Sequence, residues 1–119
     1  MFFVGCDLEK ADRFSRTLQR ARFMREVYTE GERAHIGASS HAAISAAGIW
    51  CAKEACAKAL GQGLYGLLPR ELEVLWDDRG APRMTLRGAA AEQFPDVRLS
   101  VSISHTEDLV MAVVSAETP

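Results

Sequence analysis

The sequence lacks the long apolar runs and the charge excess that would assign it to two large classes of protein. Among its 119 residues there is no run of 18 or more apolar residues, which excludes a membrane-spanning helix of ordinary length. The 14 basic and 16 acidic residues give a formal net charge of −2, whereas nucleic-acid-binding domains usually carry a basic excess. We therefore expect neither a membrane nor a nucleic acid as partner.

Cysteines are few, and the N-terminal residues lack the features of an export signal. The three cysteines, Cys6, Cys51 and Cys56, are an odd number that does not suit a disulfide framework. The opening residues have no basic start, and Asp7 breaks their short apolar stretch. We therefore expect reduced thiols and a cytoplasmic location.

Motifs of several common site types are also missing. The sequence contains no Walker phosphate loop, no paired CxxC metal site and nothing that resembles a serine triad. Cys51 and Cys56 lie in an alanine-rich segment and are predicted to be small core residues. The length and the 48% hydrophobic content predict one globular domain over residues 1–119.

Helical spacing dominates the first half of the chain, and strand-like alternation dominates the second. After a strand at residues 2–8, the pattern predicts a helix from Asp12, as its N-cap, through Arg25. Thr29 and Glu32 have capping-box spacing and predict a second helix. Strands are predicted at residues 72–76, 83–86, 97–104 and 109–115, with a short helix at 88–94 and a hairpin turn at 105–108. This order predicts an α+β fold with an antiparallel sheet.

The longest predicted helix, residues 41–60, is apolar nearly all round and carries no charge before Lys53. Ser40 is its expected N-cap, and Gly61 fits the position after its C-terminus. A helix of this kind belongs in the centre of a fold. Glu54 on it requires a partner, because an unpaired buried carboxylate is costly, and Lys58 one turn later is the nearest candidate.

Three short segments have residues that could carry chemistry. Gly5 and Asp7 share one strand face, where the glycine leaves room beside the carboxylate for a ligand or another backbone. Glu54 and Lys58 share a helix face, and His105 lies in the predicted turn. Each has an ordinary alternative: a strand-end cap, a surface ion pair and a solvated turn residue, respectively. Asp7 and Glu54 are too few to enclose Ca²⁺ but suit Mg²⁺, which keeps several waters and binds substrate phosphates.

Taken together, these segments resemble the holo-[acyl-carrier-protein] synthases, the small bacterial type of 4′-phosphopantetheinyl transferase. The family pattern GxDxxxxxRF corresponds to residues 5–14 and FTxxE to residues 28–32. The signature WAAKEAxxKALGxG corresponds to residues 50–63, DxxGxP to 77–82 and VSxSHT to 101–106. The sequence departs from the family at Ile49, where arginine is common, and mildly at Cys51 and Gln62.

The resemblance implies an Mg²⁺-dependent transfer of phosphopantetheine from coenzyme A to a serine of apo-acyl carrier protein, with release of adenosine 3′,5′-bisphosphate. It implies a 4′-phosphopantetheinyl transferase-like fold that assembles as a homotrimer with active sites between subunits. Asp7 and Glu54 would bind the metal, and Glu54 is the group we expect to accept the serine proton, either directly or through a metal-bound water. The residues implied for the coenzyme A side are Lys58, which we also expect to act in catalysis, Gly61, Gly63, Ser104 and His105.

An arginine-rich segment is the candidate surface for the carrier protein. Arg13, Arg16 and Arg20 are spaced three and four apart, which predicts one shared helix face. Carrier proteins of the kind that this family modifies are acidic, which supplies a partner of opposite charge. The alternative interpretation is a solvated helix face that is balanced by nearby glutamates.

A different function stays open at this point. Because Ile49 replaces a common arginine, the chain could be a catalytically weak relative that binds coenzyme A or a carrier protein without turnover. The sequence does not distinguish a carrier of fatty-acid synthesis from one of polyketide synthesis.

Overall fold

The computed structural model of the chain describes residues 1–63 and 66–119. The helices in these residues are α1 (Phe14–Thr17), α2 (Ala21–Val27), α3 (Glu30–Ala38), α4 (Ala42–Ala59) and α5 (Gly88–Gln93). The strands are β1 (Phe2–Lys10), β2 (Leu72–Trp76), β3 (Pro82–Leu86), β4 (Arg98–Thr106) and β5 (Leu109–Glu117). Short 3₁₀ helices occur at Ala11–Arg13 and Pro69–Glu71.

Three strands form an antiparallel sheet in the order β1-β5-β4, in which Asp7 lies opposite Ala112 and Ser104 lies opposite Met111. Strands β2 and β3 form a separate antiparallel hairpin. Its turn is fixed by the Asp77 carboxylate, which accepts hydrogen bonds from the backbone N–H groups of Arg79 and Ala81. The predicted α+β class with antiparallel pairing is confirmed.

Helix α4 runs through the centre of the molecule. It packs against all three strands of the sheet on one side and against α1, α3 and β2 on others. Its alanines are buried almost throughout, and the residues of β5 that face it, Val110, Ala112, Val114 and Ala116, are also buried. The central position predicted for this helix is confirmed. Within residues 1–63 and 66–119, no helix has the length and apolar character needed to cross a membrane.

Strand β1 approaches α4 so closely at Gly5 that no side chain fits there. A Cβ atom at Gly5 would lie 2.0 Å from the carbonyl oxygen of Ala55 and 2.7 Å from the backbone nitrogen of Ala59. The predicted approach of another backbone at Gly5 is therefore confirmed. Because Asp7 has the same strand parity as Gly5, its side chain is directed at the same helix.

The helix predicted from Asp12 to Arg25 is wrong as a single element. The chain forms the 3₁₀ helix and α1, leaves helical geometry at Arg20 (φ −94°, ψ 93°), and resumes as α2. The break lets Phe14 and Phe23 both pack on Trp50 of α4, with ring centroids 6.4 and 6.1 Å away. In one straight helix these two residues would stand about 13.5 Å apart along the axis.

Two smaller predictions about element ends are also wrong. Helix α4 has His41 rather than Ser40 at its N-cap position, and the His41 side chain makes no capping hydrogen bond. The His41 N–H donates instead to Ser39 Oγ. His105 belongs to strand β4, because the hairpin turns only at Glu107 and Asp108, where Glu107 has a φ of 52°.

Candidate active site

Asp7 on β1 has one paired carboxylate oxygen and one unpaired. Lys58 Nζ lies 3.3 Å from Asp7 Oδ1 and donates a 2.9 Å hydrogen bond to the carbonyl oxygen of Cys6. Asp7 Oδ2 is buried and has no hydrogen-bond partner in the described residues. Since a buried carboxylate oxygen is costly without a partner, this atom suits contact with a cation.

Glu54 on α4 is partly buried and close enough to Asp7 for the two charges to interact. Burial raises the pKa of Glu54 above its ordinary value, the negative charge of Asp7 raises it further, and Lys58 opposes both effects. The ion pair of Lys58 is with Asp7, so the expectation that Lys58 is the direct partner of Glu54 is not met. Two carboxylates that repel each other are an arrangement that a divalent cation relieves.

The donor set favours a cation that takes only part of its coordination shell from the protein. No group of three or more His, Cys, Asp or Glu side chains in residues 1–63 and 66–119 is arranged to hold a metal ion. Burial, followed by the charge of Asp7, raises the pKa of the nearby Cys51 to about 12, so this thiol stays neutral. Two carboxylates fit Mg²⁺, which retains waters and binds substrate phosphates.

Lys58 and Gly61 line an open cavity of about 360 Å³ at the C-terminal end of α4. Its wall is mainly apolar and includes Phe3, Leu60 and Phe94. Gly61 and Gly63 have φ values of 72° and 61°, which side chains rarely adopt. The structure thus brings Lys58 and Gly61 together, while Gly63 lies two residues beyond.

Ser104 and His105 are exposed near the end of β4 and line a different cavity, of about 300 Å³. The remaining lining residues include Leu8, Leu109 and Met111, which lie on the sheet face turned away from α4. Within one chain, therefore, Ser104 and His105 lie apart from the cavity of Lys58 and Gly61, although all four were predicted for the coenzyme A side.

Arg13, Arg16 and Arg20 converge on one cavity of about 540 Å³, although they do not lie on one continuous helix. Arg13 pairs with Glu9 at 2.7 Å. Within residues 1–63 and 66–119, Arg16 and Arg20 form no ion pair. The break between α1 and α2 thus preserves the clustering that the spacing predicted.

A buried ion pair formed by Lys53, the residue before Glu54 in the sequence, was not predicted. Lys53 and Glu32 are both fully buried, with Lys53 Nζ 2.8 Å from Glu32 Oε1. Lys53 also donates to the carbonyl oxygens of Pro69 and Leu72. The sequence did offer one signal for this pair, a lysine inside an apolar helix and a glutamate in the predicted Thr29 capping box. The structure confirms that capping box.

Ile49 is fully buried in the core. It precedes Glu54 by five positions, which places it about 140° around the helix from the carboxylate. The departure from the family pattern therefore lies outside the group formed by Asp7, Glu54 and Lys58.

The sequence profile of the 4′-phosphopantetheinyl transferase superfamily matches residues 3–114 of the chain. The chain belongs to this superfamily. Among similar superfamily members, the holo-[acyl-carrier-protein] synthase of Verminephrobacter eiseniae is 40% identical over 125 residues, covering 96% of this chain and 95% of the relative. The holo-[acyl-carrier-protein] synthase of Chloroflexus aurantiacus is 41% identical over 136 residues, covering 98% of each chain.

Solved structures of superfamily members share the fold over the full length. The acyl carrier protein synthase of Mycobacterium tuberculosis superposes with a TM-score of 0.79 at 36% identity, covering 98% of this chain and 97% of the other. The synthase of Chronobacterium ammoniagenes in complex with coenzyme A superposes with a TM-score of 0.83 at 30% identity, covering 100% of this chain and 98% of the other. The resemblance drawn from short motifs is confirmed.

Proposed function

We infer that this chain is a transferase that moves the 4′-phosphopantetheine group of coenzyme A to a serine of apo-acyl carrier protein. The products are the holo-carrier protein and adenosine 3′,5′-bisphosphate. The observation that carries this inference is the nearly full-length similarity to holo-[acyl-carrier-protein] synthases, at about 40% identity. The meeting of Asp7, Glu54 and Lys58 at one place supports it.

Asp7 and Glu54 are the residues that would hold Mg²⁺, and the unpaired Asp7 Oδ2 supports that assignment. When bound, the ion would neutralise charge on the coenzyme A pyrophosphate. Lys58 is half exposed and anchored at Cys6 and Asp7, so its ammonium group is positioned to stabilise charge on the departing bisphosphate. The glycines at the end of α4 would leave room for the coenzyme beside Lys58.

Glu54 is our candidate for the general base. The serine oxygen of the carrier forms a bond to the β-phosphorus of coenzyme A, the bond from that phosphorus to the bridging oxygen breaks, and Glu54 takes the serine proton. Asp7 is paired with Lys58, which leaves Glu54 as the carboxylate of this group that forms no ion pair with the described residues.

The cavity at Arg13, Arg16 and Arg20 is the surface that we assign to the carrier protein. Arg16 and Arg20 are exposed, and half-buried Leu18 and Phe23 lie in the same segment. A basic surface beside apolar side chains suits a small acidic partner.

The outer face of the sheet supports assembly into a homotrimer. Phe2, Val4 and Leu8 point away from α4 on β1 and are 72%, 70% and 65% exposed, and Leu109 and Met111 on β5 continue this face. An apolar surface of this kind is typical of a protein interface. Subunit packing here would also place the cavity of Ser104 and His105 against another copy, as active sites shared between subunits require.

Two broader assignments are proposals of the same kind. We take residues 1–119 as one transferase domain, supported by a single central helix that contacts both sheets. A cytoplasmic location is supported by the three free cysteines.

Intact-mass analysis tests the transfer. The protein is incubated with coenzyme A, Mg²⁺ and an apo-acyl carrier protein, and we expect the carrier mass to increase by one phosphopantetheine group. Omission of Mg²⁺ is the control. If several carrier proteins remain unmodified while coenzyme A still binds, the chain is instead a binder without turnover.

Light scattering during gel filtration tests the assembly. We expect a particle of three times the 13.0 kDa chain mass and dissociation by Leu8→Glu. Ala34→Glu adds the same charge at an exposed position on α3 and should leave the assembly intact. A wild-type protein that is monomeric at all concentrations contradicts the proposal.

A further inference from the structure

A second arginine-lined cavity, of about 390 Å³, lies where the junction of α2 and α3 meets the 3₁₀ helix before β2 and the start of α5. Four arginines from four different parts of the chain line it, together with two carboxylates. These charged residues are Arg25, Arg33, Arg70, Arg87, Glu30 and Glu71. None of them belongs to the group at Asp7 and Glu54 or to the cavity at Arg16 and Arg20.

The positive charge of this cavity is only partly compensated. Glu71 uses Oε2 to accept the backbone N–H of Ala89 at 2.7 Å. Glu30 forms no ion pair with any residue in the described ranges, and neither do Arg25 and Arg70. The four guanidinium groups therefore exceed the two lining carboxylates by two charges, and by one charge when Glu73, which pairs with Arg87 from outside the cavity, is also counted. The chain as a whole has a formal net charge of −2.

Two of the four arginines are held in place before any ligand arrives. Arg33 donates from Nη1 to the carbonyl oxygen of Tyr28, which is buried. Arg87 places Nη1 3.3 Å from Glu73 Oε2, a carboxylate outside the cavity. Each guanidinium group has five N–H donors, so both keep free donors for a ligand. Fixed donors lose less freedom on binding than mobile ones do.

We propose that this cavity is a binding site for a phosphate-bearing small molecule. Guanidinium groups match the geometry of phosphate oxygens and bind them through paired, charge-assisted hydrogen bonds. The ligand would compensate the excess positive charge. Arg25 from α2 and Arg70 from the 3₁₀ helix before β2 would both bind it. The shared chemistry is the phosphate group, whose source is either free inorganic phosphate or a phosphorylated nucleotide such as adenosine 3′,5′-bisphosphate.

This inference does not depend on the transferase activity, so its test is direct binding to the complete, purified chain. Calorimetric titrations use inorganic phosphate, pyrophosphate and adenosine 3′,5′-bisphosphate in separate arms, in phosphate-free buffer at constant ionic strength. We expect saturable binding that Arg25→Gln/Arg70→Gln weakens at least tenfold. The arm with the highest affinity identifies the source of the phosphate.

The matched control is Arg79→Gln/Arg98→Gln, which removes the same charge from exposed positions outside both arginine cavities. It should leave the affinity within about twofold of wild type, since distant exposed charges are screened. NMR signals of the arginine Nε–H groups supply a second measurement, and those of the four lining arginines should shift on addition of ligand.

Three results overturn the proposal. They are the absence of saturable binding, an equal loss of affinity in the control variant, and an unchanged phosphate affinity in Arg25→Gln/Arg70→Gln combined with a raised KM for the carrier protein. The last result would assign these arginines to carrier docking.

Discussion

The carboxylates of Asp7 and Glu32 illustrate two different uses of a buried acid. Glu32 accepts from the backbone N–H of Thr29 and from Lys53 at Oε1, and from the backbone N–H of Val74 at Oε2, so both oxygens are satisfied. Asp7 has Lys58 at Oδ1 and no partner in the described residues at Oδ2. Full satisfaction is typical of a structural acid, whereas a buried carboxylate oxygen without a hydrogen-bond donor suits contact with a cation.

Removing either proposed metal ligand should abolish transfer without unfolding the chain. We expect Asp7→Ala and Glu54→Ala each to lower kcat/KM at least a hundredfold, which corresponds to about 2.7 kcal/mol of transition-state stabilisation. Both should also weaken the binding of Mn²⁺, used as a spectroscopic substitute for Mg²⁺. Circular dichroism checks the fold, and near-normal turnover at limiting Mg²⁺ would show that the assignment is wrong.

The raised pKa of Glu54 predicts a pH dependence with a definite sign. The folded chain binds the Glu54 proton more tightly than the unfolded chain does, because burial raises its pKa. The metal-free protein should therefore gain stability as the pH falls through this pKa, and lose that gain as the pH rises through it. Metal affinity changes in the opposite direction, since the cation requires the ionised carboxylate.

Mn²⁺ titrations at successive pH values from neutral downward measure this effect. Affinity should start to decline at a pH above the ordinary carboxyl value of about 4.3. Glu54→Gln is the control, in which this step should disappear and only the weaker binding remain. A wild-type affinity that stays flat down to the ordinary carboxyl range would contradict the prediction.

At the scale of elements, the contact between β1 and α4 fixes where the candidate site forms. The missing side chain of Gly5 lets the strand touch the helix backbone, and Asp7 two residues later then faces Glu54 and Lys58. The packing of β1 on α4 and the position of the candidate site thus both depend on Gly5, which has no side chain.

We expect Gly5→Ala to destabilise the protein by about 3 kcal/mol, because the added Cβ would meet backbone atoms that cannot move aside cheaply. Transfer activity should fall with it. Gly37→Ala is the matched control: a Cβ there meets no atom within 4 Å, and alanine in a helix stabilises by about 0.5–1 kcal/mol. Urea unfolding measures both variants, and equal midpoints would refute the close contact.

The ion pair of Lys53 and Glu32 ties α4 to α3 and to the start of β2. Lys53→Met leaves a buried carboxylate without its counter-ion and should cost about 3–5 kcal/mol. Adding Glu32→Gln removes the stranded charge and should restore most of the urea midpoint. If the double variant is as unstable as Lys53→Met alone, the charge pair is not the origin of the loss.

Elements that are determined by residues near one another in the sequence could be predicted, whereas features that depend on distant residues could not. Alternation and helical spacing reveal β4, β5 and α4 because each buries one face or all faces, and the Thr29 capping box is complete within four residues. The break before α2 was missed because the residue on which Phe14 and Phe23 both pack, Trp50, lies far along the chain. The Lys53–Glu32 pair was missed for the same reason, since its partners are 21 positions apart.

At the scale of the whole molecule, charge is distributed unevenly. Arginines gather in two cavities, while the chain as a whole is slightly acidic. Local basic surfaces on an acidic protein guide acidic partners to particular faces rather than to the whole molecule.

Charge reversal at the proposed carrier surface should therefore affect the carrier protein as substrate and not coenzyme A. We expect Arg16→Glu/Arg20→Glu to raise the KM for the carrier protein about tenfold, or about 1.4 kcal/mol, and to leave the KM for coenzyme A unchanged. The effect should shrink with added salt, because the screening length is about 8 Å near physiological ionic strength. Arg79→Glu/Arg98→Glu is the control, and a salt-independent loss for both substrates would assign these arginines to the fold.

The apolar outer face of the three-stranded sheet makes the behaviour of the protein depend on its concentration. If this face is the subunit contact that we propose, it is covered to an extent set by mass action and is exposed again on dilution. On that proposal, a newly made chain presents Phe2, Val4 and Leu8 to water until it associates with other copies, and until then it is open to aggregation and proteolysis. The proposed assembly therefore predicts that transferase activity per chain falls as the protein concentration falls.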